Sequence, residues 1–221
     1  MIDWSCIDTV LLDMDGTLLD LHFDNFFWSE HLPRTYALRH QISKEESSAY
    51  LYGECGAEQG TLQWYSLDHW SQRLDMDIAA LKRELQHMIS ARPFAIEFLT
   101  QLHHSHRDVV MVTNAHRKTL EIKMDNVNIT HWFDRVVVSH DLLAPKEEQD
   151  FWHRLQQLHP FDPSRTLLID DTEQVLASAQ KYGIAHLLTL LQPDSQRQKR
   201  IDTRFRGIHH FDEIMPEGPQ R

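Results

Sequence analysis

Near its start the chain carries a short apolar run, Val10-Leu11-Leu12, that stops at Asp13 and gives way to polar residues and Gly16. Such a run, with no polar face, predicts a strand buried on both sides and ending at a turn. Four further runs of this kind come much later, at 109–112, 136–139, Thr166–Ile169 and His186–Leu190. Between them, apolar positions recur at helical spacing over about 117–127, 146–159 and 172–182. Strands alternating with helices of this length predict βαβ units. The expected fold is α/β, a Rossmann-like three-layer core around a parallel sheet.

Residues 22–106 break this rhythm. No convincing strand occurs there, and at least four helical stretches do. Phe23-Asp24-x-Phe26-Phe27 opens the first, and Ser43-Lys44-Glu45-Glu46 has the form of a capping box for the second. Leu62, Trp64, Tyr65, Leu67 and Trp70 mark a third at helical spacing, and Ile78, Leu81, Leu85 and Met88 a fourth. Pro93 suits the first turn of one more helix, whose apolar positions lead back to the second strand. The expected organisation is an α/β core from 1–21 and 107–221, with a helical cap at 22–106 inserted after strand one. The last helix of that insertion, about 93–105, can belong to either part. The tail after Pro193 is polar and is assigned no role.

Composition narrows the functional classes. Of 221 residues, 41% are hydrophobic and 25% charged, which suits an ordinary globular protein. The net charge of −11 would repel a polynucleotide, so a nucleic-acid partner is not expected. Cys6 and Cys55 show no metal-ligand spacing, and two cysteines favour a reducing compartment. Met1-Ile2-Asp3-Trp4 does not begin a signal peptide, and no apolar run is long enough to span a bilayer. A soluble, cytoplasmic protein is expected. The sixteen histidines are scattered without a zinc-binding pattern and read as surface residues.

The chemistry gathers at strand ends, where open parallel sheets bind their ligands. Strand one presents Asp13-Met14-Asp15-Gly16-Thr17, strand two Thr113-Asn114, and the strand before helix 172–182 Asp170-Asp171. Lys146, after Pro145, is expected to begin a helix following the third strand. Alone, Thr113-Asn114 reads as a turn, Lys146 as a solvated lysine and Asp170-Asp171 as a helix cap. Together they bring four acids to one edge, and carboxylates packed so closely repel one another unless a cation neutralises them. A divalent, oxygen-ligated ion such as Mg²⁺ suits that donor set. One carboxylate can then attack phosphorus while another handles the proton.

In order and spacing, these four segments resemble the motifs of the haloacid dehalogenase-like superfamily. The resemblance implies that Asp13 is nucleophile and metal ligand, and that Asp15 is general acid/base and lends its carbonyl to the metal. It implies phosphate contacts from Thr113, Asn114 and the Gly16-Thr17 turn, with Lys146 neutralising nucleophile and phosphate. Asp171, with Asp170 beside it, would anchor Mg²⁺; Asp171 is favoured as the direct ligand. Dehalogenases of the superfamily lack the acid at the Asp15 position, so Asp15 implies phosphatase or phosphomutase chemistry, which the motifs alone do not separate.

Longer stretches, 13–28 (DMDGTLLDLHFDNFFW), 62–74 (LQWYSLDHWSQRL), Thr113-Asn114-Ala115-His116 and Pro145-Lys146-Glu147, are similar to the bacterial GMP/IMP 5′-nucleotidases. That similarity implies hydrolysis of purine mononucleotides. The cap aromatics Phe23, Trp64 and Tyr65 are candidates to stack on the base, with packing in the core as the alternative for aromatic residues at helical spacing. Sugar phosphates and other small phosphate esters are the alternative substrates, and a non-catalytic protein on the same fold is disfavoured by the intact motifs. His116 is open between a phosphate contact and a helix cap.

Overall fold

Val10, Leu11 and Leu12 are fully buried, as a strand covered on both faces requires. The structure is a computed structural model that describes residues 2–56 and 58–216, without the side chain of Cys55. The strands are β1 (Thr9–Leu12), β2 (Asp108–Thr113), β3 (Arg135–Val138), β4 (Thr166–Ile169), β5 (His186–Leu190) and the short β6 (Gly207–Ile208). They form one parallel sheet in the order β3-β2-β1-β4-β5-β6.

The stretch after β1 is helical. It holds α1 (His22–Phe26), a π-helical turn at Phe27–His31, α2 (Leu32–His40), α3 (Lys44–Gly56), α4 (Leu62–Tyr65), α5 (Leu67–Leu74) and α6 (Ile78–Glu84). The capping box at α3 forms as its residues dictate. Ser43 Oγ accepts from the Glu46 N–H at 3.1 Å, and Glu46 Oε2 accepts from the Ser43 N–H at 2.9 Å. The third expected helix is instead two, because extended Ser66 breaks it and caps α5 by accepting from His69 N–H at 3.2 Å.

Four helices then accompany the sheet: α7 (Ala95–His103), α8 (Arg117–Met124), α9 (Gln149–Leu158) and α10 (Glu173–Tyr182). Alternate strand residues divide between two apolar layers. Val10 and Leu12 join Phe98 and Leu99 of α7 and Leu120 and Ile122 of α8, whereas Leu11 joins Phe151 and Trp152 of α9 and Leu176 of α10. Phe23, Phe27, Trp70 and Ile78 of the helical stretch belong to the first of these layers.

Three expectations need correction. Pro93 lies outside α7, because Phe94 takes a left-handed conformation (φ 62°) and the helix begins at Ala95. Lys146 does not begin α9 either. It sits in the turn before Gln149, where its N–H donates to Asn114 Oδ1 at 3.0 Å and so joins no helical ladder. Nor is the tail idle. It supplies β6 at the sheet edge, and Phe211, fully buried, stacks on Phe98 with ring centroids 4.7 Å apart. Phe205, Ile208, Phe211 and Ile214 recur every third residue among polar ones, a spacing that matches neither the alternation of a strand nor the full stripe of an amphipathic helix.

Candidate active site

Register places the catalytic candidates. Leu12 pairs with Met111 on one side and Ile169 on the other, so the residues just past these strands leave the sheet level with one another. Asp13 N–H donates to the Ile169 carbonyl at 3.0 Å, which locks the first acid beside the end of β4. Connections run outward from β1 through β2 to β3, and the remaining strands add on the other side from β4 to β6. Asp13 and Asp170 therefore flank the point where strand order reverses, the crevice in which open α/β sheets hold ligands.

Lys146 is the hub of this crevice. Its fully buried ammonium donates to Asp13 Oδ1 and to Asp170 Oδ2, each at 2.6 Å, and to the Val112 carbonyl at 3.2 Å. Asp13, Asp170 and Asp171 are all buried and offer oxygens within 4.8 Å of one another. Burial pushes the Asp13 carboxyl up to about 7 against the pull of Lys146. Burial also raises Asp170 to about 6 and Asp171 to about 7, the latter helped by repulsion from Asp13. Lys146, together with the Arg200 guanidinium 3.6 Å from Asp171 Oδ2, leaves the three close carboxylates one positive charge short, so the donor set fits a divalent cation. Among the described residues this is the one group of three metal-ligating side chains close enough to share an ion.

Asp15 belongs to a second ionic chain. Lys123 Nζ on α8 donates to Asp15 Oδ1 and, at 2.5 Å, to Asp24 Oδ2 on α1. Asp24 Oδ1 in turn accepts from Lys82 Nζ on α6 at 2.6 Å. Burial raises the Asp15 carboxyl, with Lys123 opposing. For Asp24 burial is outweighed, and the ammonium groups of Lys123 and Lys82 hold its carboxyl well below the usual range.

The two chains border a cavity of about 880 Å³. Its floor includes Asp13, Asp15, Thr113, Asn114, Lys146 and Asp171, and the helical stretch contributes Asn25, Trp28, Trp64, Tyr65 and Trp70. The haloacid dehalogenase-like hydrolase family model matches residues 10–189, from β1 to β5. The chain is a haloacid dehalogenase-like hydrolase. It is 35% identical to the GMP/IMP nucleotidase YrfG of Escherichia coli (strain K12) over 97% of each protein. The same figures hold for the Shigella flexneri protein of that name. Among solved structures, a HAD phosphatase from Thermococcus onnurineus superposes with a TM-score of 0.77 at 18% identity, covering 94% of this chain and 96% of that one. An L-2-haloacid dehalogenase from Xanthobacter autotrophicus gives 0.59 at 16% identity, covering 84% and 78%.

The hydrolase brings Asp13, Asp15, Thr113, Asn114, Lys146, Asp170 and Asp171 to one crevice; Gly16 and Thr17 stand behind it. The chain folds back there, with Gly16 N–H donating to the Leu19 carbonyl at 2.8 Å, and neither residue lines the cavity. Gly16 has φ +80°, and a Cβ on it would lie 2.7 Å from Asp171 Cγ, so only glycine lets the loop close against that carboxylate. Thr17 is fully buried, and its hydroxyl has no hydrogen-bond partner among the described residues. His116 neither lines the cavity nor caps α8 through its side chain; its ring meets His140 edge-on at 5.0 Å. Phe23 is buried and lies beneath Lys82 and Lys123, 5.1 and 5.4 Å from their ammonium groups, so it is not in the cavity wall.

Four side chains in the hydrolase site were not anticipated. Lys82, Asp24 and Lys123 form the second ionic chain, and Arg200 of the tail donates to the Asp171 carbonyl at 2.5 Å. The first three did leave a trace in the sequence. Lys82 lies four residues after Ile78, Lys123 three after Leu120, and Asp24 between Phe23 and Phe27, all on core-facing stripes where charge is out of place. Arg200 left none, since an arginine in a polar tail is unremarkable. Glu147 also enters, accepting from Tyr65 Oη at 2.6 Å and from Asn114 Nδ2 at 2.9 Å.

Proposed function

We propose that this hydrolase is an Mg²⁺-dependent phosphomonoesterase working through an aspartyl-phosphate on Asp13, and that its substrates are purine mononucleotides such as GMP and IMP. The observation carrying the chemistry is the Asp13–Asp15 pair at the end of β1, with Lys146 on the first acid and Lys123 on the second. Dehalogenases of the family lack the second acid, which favours phosphate esters. The nucleotide reading is supported by the YrfG relatives and by a cavity within the roughly 300–1,000 Å³ that small-ligand sites occupy, walled by aromatic side chains. We further propose that residues 1–21 and 107–221 form the core together with the helix in 93–105, and that the preceding helices are the cap. The proposed setting is the cytoplasm, with a small phosphorylated substrate.

In this reading Lys146 holds Asp13 Oδ1, leaving the other carboxylate oxygen to attack phosphorus in line with the leaving oxygen. The ester P–O bond breaks, its electron pair stays on the departing alkoxide, and Asp15 supplies the proton. Asp15, now a carboxylate, takes a proton from water as that water attacks phosphorus; the bond to Asp13 breaks and phosphate leaves. Thr113 and Asn114 border the phosphate position. Asp13, Asp171 and the Asp15 carbonyl would hold Mg²⁺. Asp170 has both oxygens engaged, by Lys146 and by the Thr172 N–H at 2.9 Å, which favours Asp171 as the direct ligand. When bound, the ion supplies positive charge against the phosphate oxygens and the clustered carboxylates.

Two measurements test this reading. The first is substrate range. Phosphate release from GMP and IMP should exceed that from sugar phosphates by about 100-fold or more in kcat/KM, a gap of the size that buried polar and stacking contacts provide. Trp64→Ala should raise KM for GMP about tenfold, as loss of one stacked base contact would, while sparing a small phosphate ester. Equal rates across the panel, with KM unmoved by Trp64→Ala, would leave a phosphatase without nucleotide preference.

The second concerns protons and metal. Asp13, Asp170 and Asp171 are raised to about 7, 6 and 7, above the unfolded carboxyl value. Their contribution to metal-free stability is therefore full below about pH 4 and is lost as pH rises through 6 to 7. Mg²⁺ must displace the same protons, so its affinity rises over that window. Calorimetry should give a Kd at pH 8 at least about tenfold below that at pH 5.5, with a larger Mg²⁺-induced gain in Tm at pH 8. Equal gains at both pH values would contradict metal binding at these acids.

A further inference from the structure

Lys123 and Lys82 are both about 2% exposed, and each ends on a carboxylate. The order Asp15–Lys123–Asp24–Lys82 alternates charge and sums to zero once Asp15 is a carboxylate. Asp24 and Lys82 lie on α1 and α6 of the helical stretch, whereas Asp15 and Lys123 lie with the sheet. Buried ionic chains give little stability over apolar side chains of equal volume, so stability alone does not account for this one. What distinguishes it is its end point. Lys123 donates to Oδ1 of Asp15, and Asp15 itself lines the cavity.

We propose that Lys123 is the positioning residue for Asp15, and that Asp24 and Lys82 make that positioning depend on α1 and α6 being docked against α8. The proposal rests on the reading of Asp15 as proton donor. As the ester bond breaks, the Asp15 proton passes to the leaving oxygen and the carboxyl becomes a carboxylate. The Lys123 hydrogen bond strengthens as that charge appears, which favours the transition state over the bound ester. Asp24 keeps the ammonium from swinging into the cavity, and Lys82 neutralises the second oxygen of Asp24. With α1 and α6 undocked, Lys123 would lose its second anchor, and Asp15 would be poorly aligned for proton transfer.

The leaving group separates this role from a structural one. An alkoxide departs only with a proton, whereas p-nitrophenolate departs without one. In single-turnover measurements with Mg²⁺, Lys123→Met should slow nucleoside release from GMP about 100-fold, in the range of general-acid effects, and p-nitrophenol release from p-nitrophenyl phosphate less than about threefold. KM should move less than about threefold for either ester, and Lys123→Arg should recover at least about tenfold of the GMP rate. Asp24→Asn, nearly isosteric, should show the same split at about tenfold and decides the matter if Lys123→Met does not fold. Equal losses on both esters, or no loss on either, would overturn the proposal. Asp15→Asn is the control: nucleoside release at the wild-type rate there would refute the proton-donor reading itself, whatever Lys123 does.

Discussion

Asp13→Asn is expected to abolish turnover, lowering kcat by about 10⁴ or more, because an amide oxygen is no nucleophile and no aspartyl-phosphate can form. The fold should survive. The substitution preserves shape, and Asp170 still neutralises Lys146 at 2.6 Å. The decisive reading is covalent. Acid quenching of wild-type protein turning over a ³²P-labelled ester should trap label on the chain in a bond that hydroxylamine cleaves, and the variant should trap none. Labelled Asp13→Asn protein, or activity within tenfold of wild type, would place the nucleophile elsewhere.

Lys146→Met should be almost as damaging, and it should damage stability as well. The lysine is the one cation shared by Asp13 and Asp170, and removing one partner from a buried ion pair typically costs about 3–5 kcal/mol. In catalysis, kcat/KM should fall about 1,000-fold, since the charge that aligns the nucleophile and offsets the phosphate is gone. The stability loss carries a sign in pH. At pH 5.5 the two acids can hold protons, and the buried charge disappears; at pH 8 they cannot do so without cost. Denaturant melts of the metal-free protein should therefore show a larger deficit at pH 8. An equal deficit at both values would mean that Lys146 acts through packing rather than charge.

The two ionic chains differ in how openly the residues announce them. Asp13, Lys146, Asp170 and Asp171 sit where strands stop, and a strand's end is visible locally as an apolar run giving way to polar residues. Lys82, Asp24 and Lys123 sit within helices, and their partners are 58 and 99 residues apart along the chain. A lysine on an apolar stripe signals that something is buried with it, but not what. The substrate wall shows the same limit. Trp64 and Phe23 have equal standing as aromatic residues, yet one lines the cavity and the other packs beneath two ammonium groups.

The opening run Val10-Leu11-Leu12-Asp13 shows what the residues determine unaided. Period and burial tendency are local properties, so the buried strand, the parallel α/β layering and the acids at its edge follow from neighbours in sequence. Which acid each lysine meets, where Gly16 and Thr17 turn, and that Arg200 reaches back to Asp171 were decided by tertiary structure alone. Those contacts join segments distant in the chain, and their geometry depends on packing angles that no local pattern encodes.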